Sequence, residues 1–315
     1  MGSRHIENLR RLGFEDICTF SPNADPNKNK DFSSKFGTTH LSSLNEVKSY
    51  SPDVVIIASP THLHLEQILL SKELGAHVFV EKPLGDDLAK AKTLSKAWPE
   101  QLVFFQANVL RFHPAVKAIQ SFLQQEKLGN LLRAHLHYGA HLEDWHPGED
   151  FRQSYAAKAE MGGGVALTLM HELDLALFFF GNVTRFEAHP LNTGALGIEV
   201  EDMVHYTLEH DQIPLVSVHA NMVERPVRRQ LEIVGSQGRL TYNFEEDALL
   251  WHQPDGFVED LPIPGGIGGK EALDRAYIAE LSHFFDAVSG RITSAVGWDE
   301  ALESLNICIQ GRLSP

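Results

Sequence analysis

Cysteine is scarce in this chain. Cys18 and Cys308 are its only two, far apart and in no ligand-like spacing, which excludes a disulfide framework and a thiolate metal cage. The simple reading is a pair of buried thiols in a reducing cytosol, so a cytoplasmic location is expected. Positive charge is also in short supply. Against 42 Asp and Glu stand 27 Lys and Arg, a formal charge of -15. That balance repels phosphate backbones and anionic lipid, and excludes nucleic acid and membrane as main partners. An anionic substrate would then need a local basic pocket. No apolar run approaches the roughly 20 residues of a membrane-spanning helix. The N-terminus, MGSRHIENLRRLG, is too polar for a signal peptide. Internal repeats and low-complexity tracts are missing as well.

What is present is alternation. With 315 residues, 43% of them hydrophobic, the chain can bury two cores, since domains cluster near roughly 100–200 residues. Ile6, Leu9 and Leu12 fall at helical spacing before Gly13. Residues 16–21 read as a short strand and the following PNADPNKNKD as a polar loop. The runs at 53–58, 76–80 and 102–107 are continuously apolar, as strands buried on both faces of a parallel sheet must be. Helices are expected at 62–74, closed by Gly75, and at 86–97. This predicts a doubly wound Rossmann-type lobe over residues 1–110.

After Pro114 the pattern changes. A helix to about residue 126 and a strand at 131–138 precede one apolar helix over 164–180, closed by Gly181. Strand-like segments then follow one another near 183–189, 202–209, 214–222, 229–235, 239–244 and 247–252. Strands in series without helices predict an open, mainly antiparallel sheet in an α+β lobe over residues 111–315. Helices at 271–289 and 298–310 finish the chain. The GGIGG segment at 265–269 reads as a loop, because no strand leads into it as a phosphate cradle requires.

Four motifs carry chemistry. Glu81-Lys82-Pro83 follows a buried strand, which puts Lys82 at the carboxyl edge where doubly wound sheets bind ligands. A desolvated lysine loses its charge readily and serves proton transfer. Alone, the triplet would read as a surface lysine in a βα loop. One βα unit earlier stands Ser59-Pro60-Thr61-His62-Leu63-His64. Arg111-Phe112-His113-Pro114 marks the crossover between lobes. Gly162-Gly163-Gly164 leads into a helix bearing His171. By itself His171 would also serve as a core histidine bonded to Glu172 or Asp174. His171-Glu172 is not the start of a zinc-protease motif, because residue 175 is leucine.

In this order and spacing the four motifs resemble the glucose–fructose oxidoreductase / inositol dehydrogenase (Gfo/Idh/MocA) family. The resemblance implies an NAD(P)-dependent oxidoreductase acting on a hydroxyl of a sugar or nucleotide-sugar, assembled as a homodimer or homotetramer, often through the outer face of its sheet. It implies that Lys82 and His171 flank the reacting carbon as the acid/base and orienting pair. It places Gly2, Ser21, Ser59, Pro60, Thr61, His64, Glu81, Lys82 and Arg111 on the cofactor side. Family members often carry an aspartate one turn before the histidine. Here Thr168 stands there, and it cannot hold a charge. The loop at 137–158 supplies Trp145, Arg152 and Tyr155 for the substrate: a stacking face, a clamp for carboxylate or phosphate, and a phenol. Its Trp-His-Pro-x-Glu-Asp-x-Arg pattern resembles a branch linked to surface-polysaccharide synthesis. His137, His141 and His146 lack the spacing of a dedicated metal site, and no metal is expected. Ser21, where the family has an acidic residue, together with Lys28 and Lys30, tilts the cofactor from NAD toward NADP.

The family fingerprint is a strand, Gly-x-Gly-x-x-Gly, then a helix continuing Arg-His-x-x-Asn-Leu. Gly2-Ser3-Arg4-His5-Ile6-Glu7-Asn8-Leu9 matches only the continuation. The first strand is therefore expected to be missing, leaving the Rossmann sheet in two unpaired halves. Two other readings stay open: a biliverdin- or dihydrodiol-type reduction on the same fold, and a non-catalytic dinucleotide-binding relative.

Overall fold

The computed structural model of the chain describes residues 1–21, 26–265, 269–293 and 296–313. Its first lobe opens with α1 (Gly2–Arg11), β1 (Cys18–Phe20), α2 (Pro26–Phe36), β2 (Thr39–Leu41) and α3 (Leu44–Tyr50). Next come β3 (Val54–Ile57), α4 (His64–Leu74), β4 (His77–Glu81), α5 (Leu88–Lys96) and β5 (Phe104–Ala107). Ends fall where local chemistry puts them. Ser43 and Asp87 cap α3 and α5 by accepting from the backbone N–H three residues on. Gly75 ends α4 in the left-handed region, with φ 71°.

The polar loop expected after β1 is in large part helix α2, opened by Pro26 at its first turn. There a proline loses no needed hydrogen bond. Phe32 and Phe36, one turn apart, hold each other at 4.7 Å. β2, α3 and a last strand at 258–260 are further elements missed by periodicity.

The parallel strands form two sheets, β1–β2 and β3–β4–β5. Among the described residues neither β1 nor β3 has a strand on its other side.

The second lobe holds α6 (Pro114–Leu123), β6 (Leu131–Gly139), α7 (Val165–Thr168), α8 (His171–Phe180), β7 (Val183–Leu191), β8 (Met203–His210), β9 (Ile213–Asn221), β10 (Arg228–Gly235), β11 (Gly238–Asn243), β12 (Ala248–His252) and β13 (Val258–Asp260). Its eight strands run in the order β13-β12-β11-β10-β6-β9-β8-β7, and only β6–β9 is a parallel pair. Val204, Tyr206 and Leu208 of β8 alternate inward with half-exposed neighbours, so one face packs on α8 and the other is open.

The single helix expected over 164–180 is broken. The segment Ala159–Thr168, of which α7 is the α-helical end, meets α8 at 49°, with Leu169 and Met170 at the break. Among the described residues no single helix is long and apolar enough to cross a membrane.

The last two helices, α9 (Gly269–Val288) and α10 (Trp298–Gln310), return to the first lobe. Phe284 of α9 fills the space beside Phe79 and Phe105 of β4 and β5, at 5.5 and 5.9 Å. Trp298 of α10 stacks on Phe104 at 3.8 Å. A boundary at residue 110 thus divides the sequence but not the packing.

Candidate functional site

β4 is buried through its middle and ends at Glu81, so Lys82 leaves the sheet at its carboxyl edge. The Lys82–Pro83 bond is cis. The Lys82 side chain crosses to the second lobe, where Nζ donates to the Thr168 carbonyl at 2.6 Å. That carbonyl is free because the helix breaks just after it. Burial pushes Lys82 below the usual lysine range; Glu81 opposes this and Arg229 adds to it. His171 opens α8. Burial first, then the nearby charges of Lys82 and Arg229, push its imidazole well down, so it is neutral near pH 7. The buried His171 Nδ1 and Thr168 Oγ1 have no hydrogen-bond partner among the described residues. Two orphaned polar atoms beside a lysine are unusual in a packed interior.

Three supporting residues escaped the sequence reading. Arg229 of β10 donates from Nε to Glu172 at 2.8 Å and lies 3.9 Å above the Tyr138 ring. Glu172 is 2% exposed, and its burial raises its pKa. His5 of α1 reaches Glu81 at 2.7 Å, with its ring edge on Phe79. Both pairs join residues more than fifty positions apart, so no local spacing betrays them.

The glycine run is tight packing. A Cβ on Gly163 would lie 2.4 Å from the Tyr155 carbonyl, and one on Gly162 would lie 2.8 Å from Thr61 Cβ. Gly162 and Gly164 also adopt φ of 74° and 100°, in the left-handed region. The run thereby seats the turn after β3 against the second lobe. Ser59, Pro60 and Thr61 in that turn, with Glu81 at the end of β4 and Lys82 just after it, share one edge of the sheet. Gly2 begins α1, and Ser21 is exposed beyond β1. Lys28 lies outside the described side chains.

Two residues expected on the cofactor side are held by partners within the protein. The Arg111 guanidinium is 6% exposed and donates to Asp174 from Nε and Nη2, at 2.7–3.1 Å. Asn108 donates to the same carboxylate at 2.6 Å. Arg111 is thereby engaged in the lobe junction. His64 is 1% exposed, with Nδ1 2.8 Å from the Pro83 carbonyl and Nε2 2.9 Å from that of Ser59. It braces the two βα turns from beneath. Glu81, for its part, is turned to His5.

In the loop over 137–158, a cavity of about 170 Å³ is lined by Trp145, His146, Glu149, Ser154 and Tyr155 among others. The buried Trp145 Nε1 and Ser154 Oγ are unpartnered among the described residues. Burial raises the Tyr155 pKa and the charge of Glu81 adds to it, which ties the cavity to the Lys82 end. Arg152 stands outside the cavity, exposed, 3.7 Å from Asp150 and over the Phe151 ring. A larger groove of about 610 Å³, between Gln120, Leu131 and Phe179, contains none of the expected site residues.

Comparison with known proteins agrees with this layout. A model of the oxidoreductase family with an NAD-binding Rossmann fold matches residues 1–109, and a model of the GFO/IDH/MocA C-terminal domain matches residues 116–241. The chain is 25% identical over 248 residues to 2,7-anhydro-N-acetylneuraminate hydratase of Escherichia coli, covering 77% of this chain. It is 27% identical over 219 residues to levoglucosan dehydrogenase of Pseudarthrobacter phenanthrenivorans, covering 61% of this chain. The aligned segments span 65% and 55% of those relatives, less than two thirds of either length. A solved levoglucosan dehydrogenase in complex with NADH and levoglucosan superposes with a TM-score of 0.84 at 20% identity, covering 98% of this chain and 92% of that one. The expected link to surface-polysaccharide synthesis finds no support in these relatives.

Proposed function

This chain belongs to the Gfo/Idh/MocA family of oxidoreductases with an NAD-binding Rossmann fold, and from that premise we propose that it oxidises a secondary hydroxyl of a sugar, or reduces the matching ketone, with NAD or NADP. The observation that carries the proposal is Lys82, of lowered pKa, on the Thr168 carbonyl beside a neutral His171.

Hydride leaves an alcohol carbon only as the hydroxyl proton departs, so a base must stand at that oxygen. Lys82 is that base, with the Thr168 carbonyl aiming its ammonium. The neutral imidazole of His171 donates or accepts a hydrogen bond at the same hydroxyl and fixes its orientation. Thr168 Oγ1 adds a donor and acceptor but no charge, so the neutral, proton-accepting form of Lys82 is favoured by burial first and by Arg229, against the charge of Glu81. Trp145 and Tyr155 receive the remainder of the ring. A nicotinamide dinucleotide supplies the hydride acceptor or donor when bound. The fit of this chain to it lies at the turn after β3, where the missing Cβ of Gly162 admits Thr61, and Ser59, Pro60 and Thr61 would hold the dinucleotide. Ser21, in place of an acid, favours NADP. We further read the chain as a homo-oligomer.

The test is a panel of sugars and nucleotide-sugars, followed by absorbance of the reduced nicotinamide, beside a fluorescence titration of NADH and NADPH. Turnover of a polyhydroxylated substrate is expected. Cofactor binding without turnover of any panel member would instead favour a sensing role, and absence of both would reject the proposal.

A further inference from the structure

Two polar atoms in the cavity of the 137–158 loop, Trp145 Nε1 and Ser154 Oγ, are buried and have no partner among the described residues. An indole N–H can only donate, whereas a hydroxyl donates and accepts. Buried groups of this kind are costly unless something binds them. Glu149, exposed in the same lining, adds an acceptor and makes no ion pair among the described residues. Donors and acceptors set among the aromatic carbon of Trp145, Phe151 and Tyr155 suit a hydroxylated ring, which has C–H faces and O–H edges.

The backbone ties this cavity to the Lys82 site. Ala156, in its wall, accepts from the Gly164 N–H at 2.9 Å, and Gly164 accepts from the Thr168 N–H at 3.0 Å. One helical turn therefore separates the cavity wall from the carbonyl that holds Lys82.

Size and charge then select. A volume of about 170 Å³ falls well short of the roughly 300–1,000 Å³ of a pocket for a drug-sized ligand. A single hexose is on that scale; the base, ribose and diphosphate of a nucleotide-sugar are not. Among the described residues no lysine or arginine lines the cavity. The two cations of the loop are engaged outside it: Arg152 stands 3.7 Å from Asp150, and Lys158 Nζ donates to Gln153 at 3.0 Å. Arg225, in the turn after β9, is held by Glu143 and Asp144 at 2.9 and 2.7 Å. A phosphate in the cavity would meet the Glu149 carboxylate with no cation beside it, in a chain of charge -15.

We propose that this cavity takes one uncharged, pyranose-sized ring, read through its hydroxyls by Trp145 Nε1, Ser154 and Glu149, and that it rejects phosphorylated and nucleotide-linked sugars. The proposal rests on the reading of the Lys82 site as a sugar oxidoreductase. Trp145 Nε1 donates to a ring or hydroxyl oxygen, Ser154 donates or accepts, and Glu149 accepts from a hydroxyl. These contacts hold the ring in ground and transition state alike, so they set KM and leave kcat to Lys82 and His171.

The test compares several aldohexoses with their 6-phosphates and their uridine diphosphate conjugates. Turnover is followed with NAD and NADP, and binding by isothermal titration of the chain with and without NADH. The uncharged sugars should be favoured at least about tenfold in kcat/KM. Ser154→Ala, and Trp145→Phe, which keeps an aromatic face, should each raise KM about tenfold for the loss of one hydrogen bond, with kcat within about twofold. Ser154→Ala should not lower the melting temperature, because its hydroxyl has no partner in the protein to lose. Glu149→Lys should shrink the preference against the 6-phosphates at least about tenfold. If Trp145→Phe does not fold, Ser154→Ala decides alone. A wild-type preference for the phosphorylated or nucleotide-linked form overturns this inference and leaves the oxidoreductase reading standing. An unmoved KM in the Ser154 and Trp145 variants overturns the role of the cavity, and an unmoved preference in Glu149→Lys overturns the selection by charge. Neither binding nor turnover of any sugar in any form overturns the oxidoreductase reading and this inference with it.

Discussion

The Lys82 ammonium of the first lobe donates a 2.6 Å hydrogen bond to the Thr168 carbonyl of the second. One bond thus joins the lobes and aims the proposed base, and the chemistry depends on both lobes being in register. Lys82→Met should lower kcat by about 10²–10⁴-fold, the usual worth of a positioned base, while NAD(P)H affinity by fluorescence stays within about threefold. Full turnover in that variant would exclude the role given to Lys82.

A pH profile reads the electrostatics of the same group. Sugar oxidation should rise with pH as Lys82 loses its proton, with a midpoint below the roughly 10.4 of a free lysine. Arg229 pushes Lys82 down through its positive charge. Arg229→Gln removes that charge, makes the ammonium easier to keep, and should move the midpoint upward. A midpoint that stays in place or falls would overturn the influence of the Arg229 charge on Lys82.

The glycine run makes a prediction about stability. Gly163→Ala puts a methyl 2.4 Å from the Tyr155 carbonyl and 2.6 Å from that of Lys158. Backbone must shift, at about 1–3 kcal/mol, and the Lys82–Thr168 bond should loosen with it. Gly256→Ala, in open space with φ 90°, strains only its own turn and should cost about 1 kcal/mol. Thermal melts of the two variants side by side check this; equal costs would show that the run is not a packing device.

Trp145 lines the cavity beside Tyr155 and Arg152 does not. Trp145→Ala should raise KM about tenfold with a smaller change in kcat. Arg152→Ala, which removes an exposed and solvated charge, should have a weaker effect. Steady-state kinetics separates the two. A Trp145 effect confined to melting temperature would make the loop structural.

What could be read beforehand follows from the range of the signal. The strands β3, β4 and β5 are apolar on both faces and announce themselves in a few residues. Lys82 and His171 stand out in the sequence because each belongs to a motif of fixed spacing. α2 was not, since Asn and Lys fill its first turns and its two phenylalanines alone show a helical period. The break at Leu169 and Met170 lies where apolar residues continue at helical spacing on both sides, so the period does not announce it. Arg229–Glu172 and His5–Glu81 join residues 57 and 76 positions apart. Only the folded chain brings them together. The Arg111–Asp174 pair, 63 positions apart, is likewise hidden from local spacing.

The return of α9 and α10 to the first lobe has a bearing on biogenesis. Phe79 and Phe105 leave the ribosome long before Phe284, and Phe104 long before Trp298. During synthesis the Rossmann half therefore waits with aromatic surface uncovered while the whole eight-stranded sheet is made. These late contacts have long sequence separation, which slows folding and lengthens the exposure. A nascent chain stalled before residue 280 should be a better chaperone client than the finished one, and release of the last two helices should be the event that ends that dependence.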